Sequence, residues 1–322
     1  METGTDRFAR VAVIGTGMMG PGIALVLAQG GSQVALYGRT PESIHRGLAR
    51  LTAALNFLVA NQILAADAAQ EIRNLVRAET DLAAAVQDAG LVVESIVEDL
   101  AAKRALFAQL GPLCGVQTLL TSDTSGLLIT DITEGLPWAD RCATTHFWNP
   151  PHLVPLVEIT QGEQTTDATV DALVALLRRC GKAPVVARKD VPGQIANRLQ
   201  HALLREALFM IQEGIASAAD IDTALKLGPG RRWPVYGVLE HQDMVGLDLA
   251  LAVHQALVPS LGRADTPLPY LIDLVRAGNL GVKTGQGLHD WTQRDPAALA
   301  ARRDAFLCMM ARDWSGDDVT PT

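Results

Sequence analysis

The feature that most narrows what this chain can fold into is a glycine cluster close to its start. Val11-Ala-Val-Ile14 is a short apolar run, and it passes directly into Gly15-Thr-Gly17-Met18-Met19-Gly20. An unbroken apolar run reads as a buried strand, and glycines immediately after it read as a tight turn. Ile23 to Ala28 then has a helical pattern stopped by Gly30 and Gly31, and Gln33 to Tyr37 reads as a second strand. Strand, G-x-G-x-x-G turn, helix and strand in that order make a βαβ unit of the dinucleotide-binding type. The first glycine permits the turn, the second lets backbone approach a pyrophosphate, and the third lets helix and strand pack closely. Phosphate then rests on the helix N-terminus, so Gly15, Gly17, Met18, Met19 and Gly20 are the expected cofactor-binding turn.

Further along, a long Ala- and Leu-rich stretch from Pro41 to Arg77 reads as helical. Strand patterns follow at Leu91–Glu94, Thr118–Thr121, Cys142–His146, Val154–Thr160 and Val185–Ala187, several of them separated by helical segments. Val170, Leu173, Val174 and Leu177 fall on one helix face, with Gly181 as the expected C-cap. Alternating strands and helices predict an α/β fold: a Rossmann-type, doubly wound parallel sheet. After Asp190 only helical patterns remain, at Gln194–Glu213, Ala219–Lys226, Leu247–Leu261 and Pro269–Ala277. The predicted organisation is a dinucleotide-binding domain over residues 1–189 and an all-helical C-terminal substrate and dimerisation domain over 190–322. Asp190-Val-Pro-Gly193 interrupts the periodicity at the boundary.

The chain of 322 residues is 48% hydrophobic and 19% charged, the balance of a folded protein with a sizeable core. Its net charge of −8 argues against nucleic acid, which needs clustered Lys and Arg. Cys114, Cys142, Cys180 and Cys308 form no C-x-x-C pair, so neither a metal site nor a disulfide framework is expected, and free thiols suit the cytoplasm. Met1 to Arg10 is short and polar, unlike a signal peptide, and no apolar run is long enough to span a membrane. The polar stretch from Arg312 to Thr322 is expected to fray.

The end of the second strand bears on which dinucleotide is bound. An NAD site places Asp or Glu there to accept from the ribose 2′-OH. Here the residues are Tyr37-Gly38-Arg39-Thr40, with Arg39 and Thr40 available to a 2′-phosphate, which favours NADP; Glu42 lies close enough to restore NAD.

Thr121-Ser-Asp-Thr-Ser125-Gly lies at a strand's C-terminal end, where ligands of open α/β sheets sit. His146-Phe-Trp-Asn149-Pro-Pro-His152 ends another strand, and Glu158 lies on the next. Taking a proton from a hydroxyl needs a base that titrates near neutrality, for which His146 is the candidate. A carboxylate on its far ring nitrogen, from Glu158, would fix the tautomer and stabilise the imidazolium.

With these motifs in order, the chain resembles the 3-hydroxyacyl-CoA dehydrogenase family from its first strand to about Trp291. That family's Ser-Asn-Thr-Ser, His-Phe-Phe-Asn-Pro, Leu-Val-Glu and Pro-Gly-Phe-x-x-Asn-Arg correspond to Ser122-Asp-Thr-Ser125, His146-Phe-Trp-Asn149-Pro, Leu156-Val-Glu158 and Pro192-Gly-Gln-Ile-Ala-Asn197-Arg198. The resemblance implies His146 as general base and Glu158 as its orienting partner. It implies that Ser125 bonds the reacting oxygen and touches the cofactor, and that Asn149 and Asn197 hold the substrate. Glu98, Lys103 and Lys283 match family cofactor contacts; Glu98 and Lys103 can also be read as an exposed i,i+5 pair. A homodimer through the C-terminal helices is implied too, and the apolar Leu204, Leu208 and Ile211 support it from the residues themselves.

Three departures stand out: Gly38 replaces the ribose-binding Asp, Asp123 replaces Asn, and Trp148 replaces Phe. Ser-Asp-Thr-Ser-Gly with Asn-Pro-Pro-His resembles the family branch of 5-formyl-3-hydroxy-2-methylpyridine-4-carboxylate dehydrogenase. Gly228-Pro-Gly-Arg231-Arg232-Trp233 resembles the L-gulonate 3-dehydrogenase (lambda-crystallin) and L-carnitine dehydrogenase branches. Arg231 or Arg232 would fork onto a substrate carboxylate and Trp233 would face a quaternary ammonium; the other reading is two solvated arginines beside a packing Trp. The expected activity is hydride transfer between NAD(P) and the 3-hydroxy group of an acyl-CoA or small acid. The alternatives are a non-CoA ring alcohol or aldehyde as substrate, or a non-catalytic, crystallin-like binding protein.

Overall fold

The computed structural model describes residues 6–313. The expected fraying of the terminus falls largely on residues 314–322, which lie outside the described residues. The first compact unit runs to Asn197 and takes the chain up again from Arg302; the second is Arg198–Ala301.

The first unit alternates strands and helices: β1 (Arg10–Ile14), α1 (Gly20–Gln29), β2 (Gln33–Tyr37), α2 (Pro41–Ala60), α3 (Ala66–Leu75) and β3 (Val76–Glu79). It continues with α4 (Leu82–Val86), β4 (Leu91–Glu94), α5 (Leu100–Leu113), β5 (Leu119–Ser122) and α6 (Ile129–Ile132). β6 (Cys142–Phe147), β7 (Leu156–Thr160), α7 (Asp167–Arg179) and β8 (Ala183–Ala187) complete the sheet. Its strand order is β3-β2-β1-β4-β5-β6-β7-β8.

The apolar runs are continuous because the sheet is covered on both faces. Successive strand residues point to opposite sides, so Val11, Val13, Val34, Leu36, Leu91 and Val93 enter one core with α1, α2, α3 and α7. Ala12, Ile14, Ala35, Val92 and Leu120 enter a second core with α4, α5 and α6. Burying each of the larger side chains is worth about 1.5–3 kcal/mol.

Two details correct the sequence reading. The stretch from Pro41 to Arg77 is two helices and the start of an edge strand, because residues 61–65 break it and β3 pairs with β2. The sheet is also not wholly parallel: β6 and β7 run antiparallel, while every other neighbouring pair is parallel.

α8 (Ala196–Gln212) begins in the first unit and continues into the second, which holds α9 (Ala218–Leu227), α10 (Val238–Val245), α11 (Leu247–Leu257) and α12 (Pro269–Arg276). The last helix, α13 (Pro296–Asp313), returns to the first unit, where Cys308 is buried in the first core. Among the described residues no helix is long and apolar enough to cross a membrane.

Candidate active site

The antiparallel pairing of β6 and β7 builds the centre of the site. Its register sets His146 directly opposite Glu158, and opposed residues of an antiparallel pair lie on one face within reach of each other. Nδ1 of His146 lies 2.9 Å from Oε2 of Glu158. Trp148 donates its indole N–H to the same oxygen at 3.0 Å. The other oxygen, Oε1, accepts from the backbone N–H of Ile195 at 2.9 Å and of Ala196 at 2.8 Å, where α8 begins.

Glu158 is wholly buried and carries four donors, about as many as a carboxylate has lone-pair positions. Burial raises its pKa, but the His146, Ala196, Trp148 and Ile195 donors outweigh that and hold it at about 2. An ionised carboxylate only accepts, so Nδ1 of His146 carries the hydrogen. The neutral ring therefore presents its lone pair at Nε2, which makes no hydrogen bond among the described residues.

Ser125 follows β5 in an exposed turn held from below. Glu98 accepts from Thr124 Oγ1 at 2.6 Å and from the backbone N–H of Ser125 and Gly126 at 3.0 and 3.1 Å. Lys103 on α5 sits behind it, with Nζ 2.6 Å from Glu94 and 3.4 Å from Glu98. Lys103 is only 1% exposed, so the exposed-pair reading of Glu98 and Lys103 does not hold. Asn197 Nδ2 donates to the Ser125 carbonyl at 3.2 Å, which brings those two expected residues together. Asn149 is exposed and precedes a cis peptide bond to Pro150. The segment after it is pinned by buried Lys182, whose ammonium donates to the carbonyls of Pro151 and Val154.

Asp123, noted in the sequence only as a departure, ties β5 to its neighbours. Its carboxyl bonds the Phe147 N–H at 2.9 Å and the Ser95 hydroxyl at 3.1 Å. Burial pushes its pKa up to about 7, against the pull of the Phe147 N–H, nearby His146 and Ser95, and with Glu94 adding to the rise.

The glycine turn fits a dinucleotide for three separate reasons. Gly15 has φ of +127°, and a Cβ there would fall 2.2 Å from the Ser95 carbonyl oxygen. A Cβ on Gly20 would fall 2.0 Å from the Gly15 carbonyl oxygen. A Cβ on Gly17 would meet nothing within 4 Å, so that glycine is not required by the protein's own packing and leaves room for a ligand. Side chains cap α2, α4, α5, α7 and α9 through Thr40, Asp81, Asp99, Thr166 and Ser217. α1 begins at Met19 with no side-chain cap, as do α3, α6, α11 and α12, and it alone opens directly from the glycine turn, which suits an anion. Arg50, missed in the sequence, crosses from α2 to the turn and donates to the Thr16 carbonyl at 2.9 Å.

At the ribose turn Gly38 is buried, and a Cβ would lie 2.6 Å from Ser43 Oγ and 3.0 Å from Thr16 Cγ2. Steric crowding is thus one physical reason that no acid stands there. Arg39 is exposed, and Thr40 Oγ1 accepts from the Ser43 N–H at 3.2 Å as the cap of α2. The Glu42 carboxyl is held below its usual range by its own backbone N–H and the Thr40 hydroxyl.

In the second unit Arg231, Arg232 and Trp233 are exposed around a short 3₁₀ turn over Pro229–Arg231, and Lys283 is exposed in the turn after Gly281.

Residues 10–191 match the model of the 3-hydroxyacyl-CoA dehydrogenase NAD binding domain, and residues 193–291 match that of the family's C-terminal domain. The chain is 36% identical to 5-formyl-3-hydroxy-2-methylpyridine 4-carboxylate 5-dehydrogenase of Mesorhizobium japonicum, over 95% of this chain and 98% of that one. It is 38% identical to 3-hydroxyadipyl-CoA dehydrogenase of Escherichia coli, over 96% of this chain and 65% of the longer relative. Its fold superposes on the crystal structure of an enzyme described as 5-formyl-3-hydroxy-2-methylpyridine 4-carboxylic acid 5-dehydrogenase, an NAD+ dependent dismutase. The TM-score is 0.88, over 95% of this chain and 98% of that chain, at 35% identity.

Proposed function

Because the chain belongs to the 3-hydroxyacyl-CoA dehydrogenase family and is an oxidoreductase that uses a nicotinamide cofactor, we propose that it oxidises the 3-hydroxy group of a small acid or its thioester, with His146 as the base. The observation that carries this reading is the saturated Glu158 carboxylate, which fixes the hydrogen on Nδ1 of His146 and leaves Nε2 to take the hydroxyl proton. Ser125, Asn149 and Asn197 hold the substrate oxygens. Arg231, Arg232 and Trp233 of the second unit carry guanidinium groups and an indole face of the kinds that bind a carboxylate and an ammonium. The dinucleotide supplies the hydride acceptor. Gly15, Gly17, Met18, Met19 and Gly20 seat its pyrophosphate, and Ser125, Asn149 and Glu98, with buried Lys103 behind it, complete the part of its site in the first unit.

The ribose turn suits both dinucleotides. Gly38, Arg39 and Thr40 leave room and charge for a 2′-phosphate, while ionised Glu42 on the Thr40 hydroxyl serves a 2′-OH. NADP is used at least as well as NAD. A panel of hydroxy acids, their CoA thioesters and ring alcohols and aldehydes, assayed with each cofactor, tests the whole reading. Absence of hydride transfer across the panel counts against it.

A second reading, a free ring alcohol or aldehyde as substrate, is favoured by the end-to-end likeness to the pyridine-carboxylate dehydrogenase. The same panel separates it, since ring substrates would then outpace every thioester.

The quaternary state belongs to this reading as well. Leu199, Leu203 and Leu204 on α8 are exposed, as are Leu247, Leu249, Leu251, Val253 and Leu257 on α11. So much apolar surface on helices of the second unit fits a homodimer. The four unpaired cysteines fit a reducing cytoplasm.

A further inference from the structure

Trp148 stands in an unusual relation to the catalytic pair. Its Nε1 lies 3.0 Å from Glu158 Oε2, the atom that His146 Nδ1 approaches to 2.9 Å, while the other carboxylate oxygen is taken up by two backbone N–H groups. The indole also meets the imidazole edge-on, with ring centroids 5.5 Å apart and planes at 61°. A carboxylate oxygen that accepts a second N–H has less negative charge to offer the first.

We propose that Trp148 is a positioning residue that lowers the basicity of the His146–Glu158 pair, its indole N–H competing with the imidazole for one carboxylate oxygen. The imidazolium gains less from Glu158 than it would from an oxygen of its own. It therefore gives up its proton at lower pH than it would without the indole, and the neutral ring persists into more acidic solution. The backbone donors of α8 keep the carboxylate in place, so the effect of the indole is on charge rather than on where Glu158 sits.

Among the described residues, charged groups that act on His146 include Glu158 on β7 and Asp123 just after β5. Glu94 on β4 and its partner Lys103 on α5 lie one step further, beside Asp123. Asp123 titrates in the same range as an imidazole, being pushed up to about 7, so the test carries an Asp123→Asn background as control.

The test is Trp148→Phe, which removes the donor and keeps an aromatic, though smaller, ring beside His146. In free protein labelled at its seven histidines, with His146 assigned by loss of its signal in His146→Gln, the ring's protonation midpoint is followed by NMR. It should rise by about 0.5–1 pH unit in Trp148→Phe, with and without Asp123→Asn. A midpoint unmoved in both backgrounds overturns the proposal.

Should Trp148→Phe not fold, wild-type protein labelled at the indole nitrogens of its five tryptophans still decides the matter. One indole N–H signal should move as His146 protonates and cease to do so in His146→Gln, and the absence of such a signal overturns the proposal.

The proposal draws on the function proposed above only for its kinetic consequence, an equal upward shift of the acid limb of kcat/KM for alcohol oxidation. If the NMR midpoint moves and the limb does not, the competition stands and His146 is not the base.

Discussion

The strand pair β6–β7 and the helices beyond Asn197 differ in how completely each satisfies its own groups. Glu158 has four donors and no exposure, and His146 beside it is nearly buried. In α11, by contrast, no residue is buried, and Leu247, Leu249, Leu251, Val253 and Leu257 are all exposed. A saturated polar cluster is costly to disturb, because each lost donor leaves a buried charge partly unpaired. An exposed apolar helix leaves apolar surface in water, a cost that burial against a second copy would relieve. The contrast sets the proposed proton chemistry within the first unit and the proposed dimer contact on the surface of the second.

Breaking the first side of this comparison has a larger expected effect than breaking the second. Glu158→Gln replaces two acceptor oxygens by one and points an NH₂ at existing donors. It should lower kcat on the order of 10²–10³-fold and destabilise the fold, read by steady-state assay and urea unfolding. Glu158 ionises below its unfolded value, so its stabilisation is complete above about 4.5 and is lost as pH falls toward about 2. Glu158→Gln should remove that part of the acid sensitivity.

On the other side, Leu251→Glu on α11 should convert a dimer to a monomer of half the mass by sedimentation, with dinucleotide affinity within about threefold of wild type. A wild-type protein that is already monomeric at micromolar concentration would remove this half of the contrast.

At the ribose turn, Arg39→Ala should lower kcat/KM for NADP about tenfold and leave NAD nearly unchanged. Glu42→Gln should raise NADP use by about threefold. If NADP use is unmoved by Arg39→Ala, the guanidinium faces solvent and takes no part in selection.

A further effect separates two carboxyls of the same unit, wholly buried Glu158 and partly buried Asp123. The pKa of Asp123 is raised, opposite to that of Glu158, so its proton stabilises the fold at low pH. That contribution declines as pH rises from about 4 through about 7. Asp123→Asn should flatten the stability profile between pH 5 and 8 by on the order of 1 kcal/mol, measured by urea unfolding at each pH.

How much of this was legible follows from what sequence patterns encode. The turn from Gly15 to Gly20 was readable because three glycines at fixed spacing answer three physical needs. His146 and Glu158 were readable as residue types on neighbouring strands, but their strand direction was missed. Alternation of side chains carries no direction, although the short connection over residues 148–155 was a usable signal, since a parallel crossover needs a dozen residues or more.

β3 was hidden because Val76-Arg-Ala-Glu79 is a charged edge strand that directly follows a helix. The break before α3 was hidden because Gln62, at φ of 59°, turns the chain without a glycine or proline. α10 and α13 were not read at all. The reach of Trp148 to Glu158 follows from tertiary geometry, and the sequence showed only that a Trp was there.

The most direct test of the central claim is single-turnover hydride transfer, followed by nicotinamide absorbance, in wild type and His146→Ala, using the best substrate from the panel. Dinucleotide affinity is measured on the same preparations. The account predicts that His146→Ala slows the hydride step by about 10²–10⁴-fold while the dinucleotide dissociation constant stays within about threefold of wild type. Hydride transfer within a few-fold of wild type in His146→Ala would contradict it.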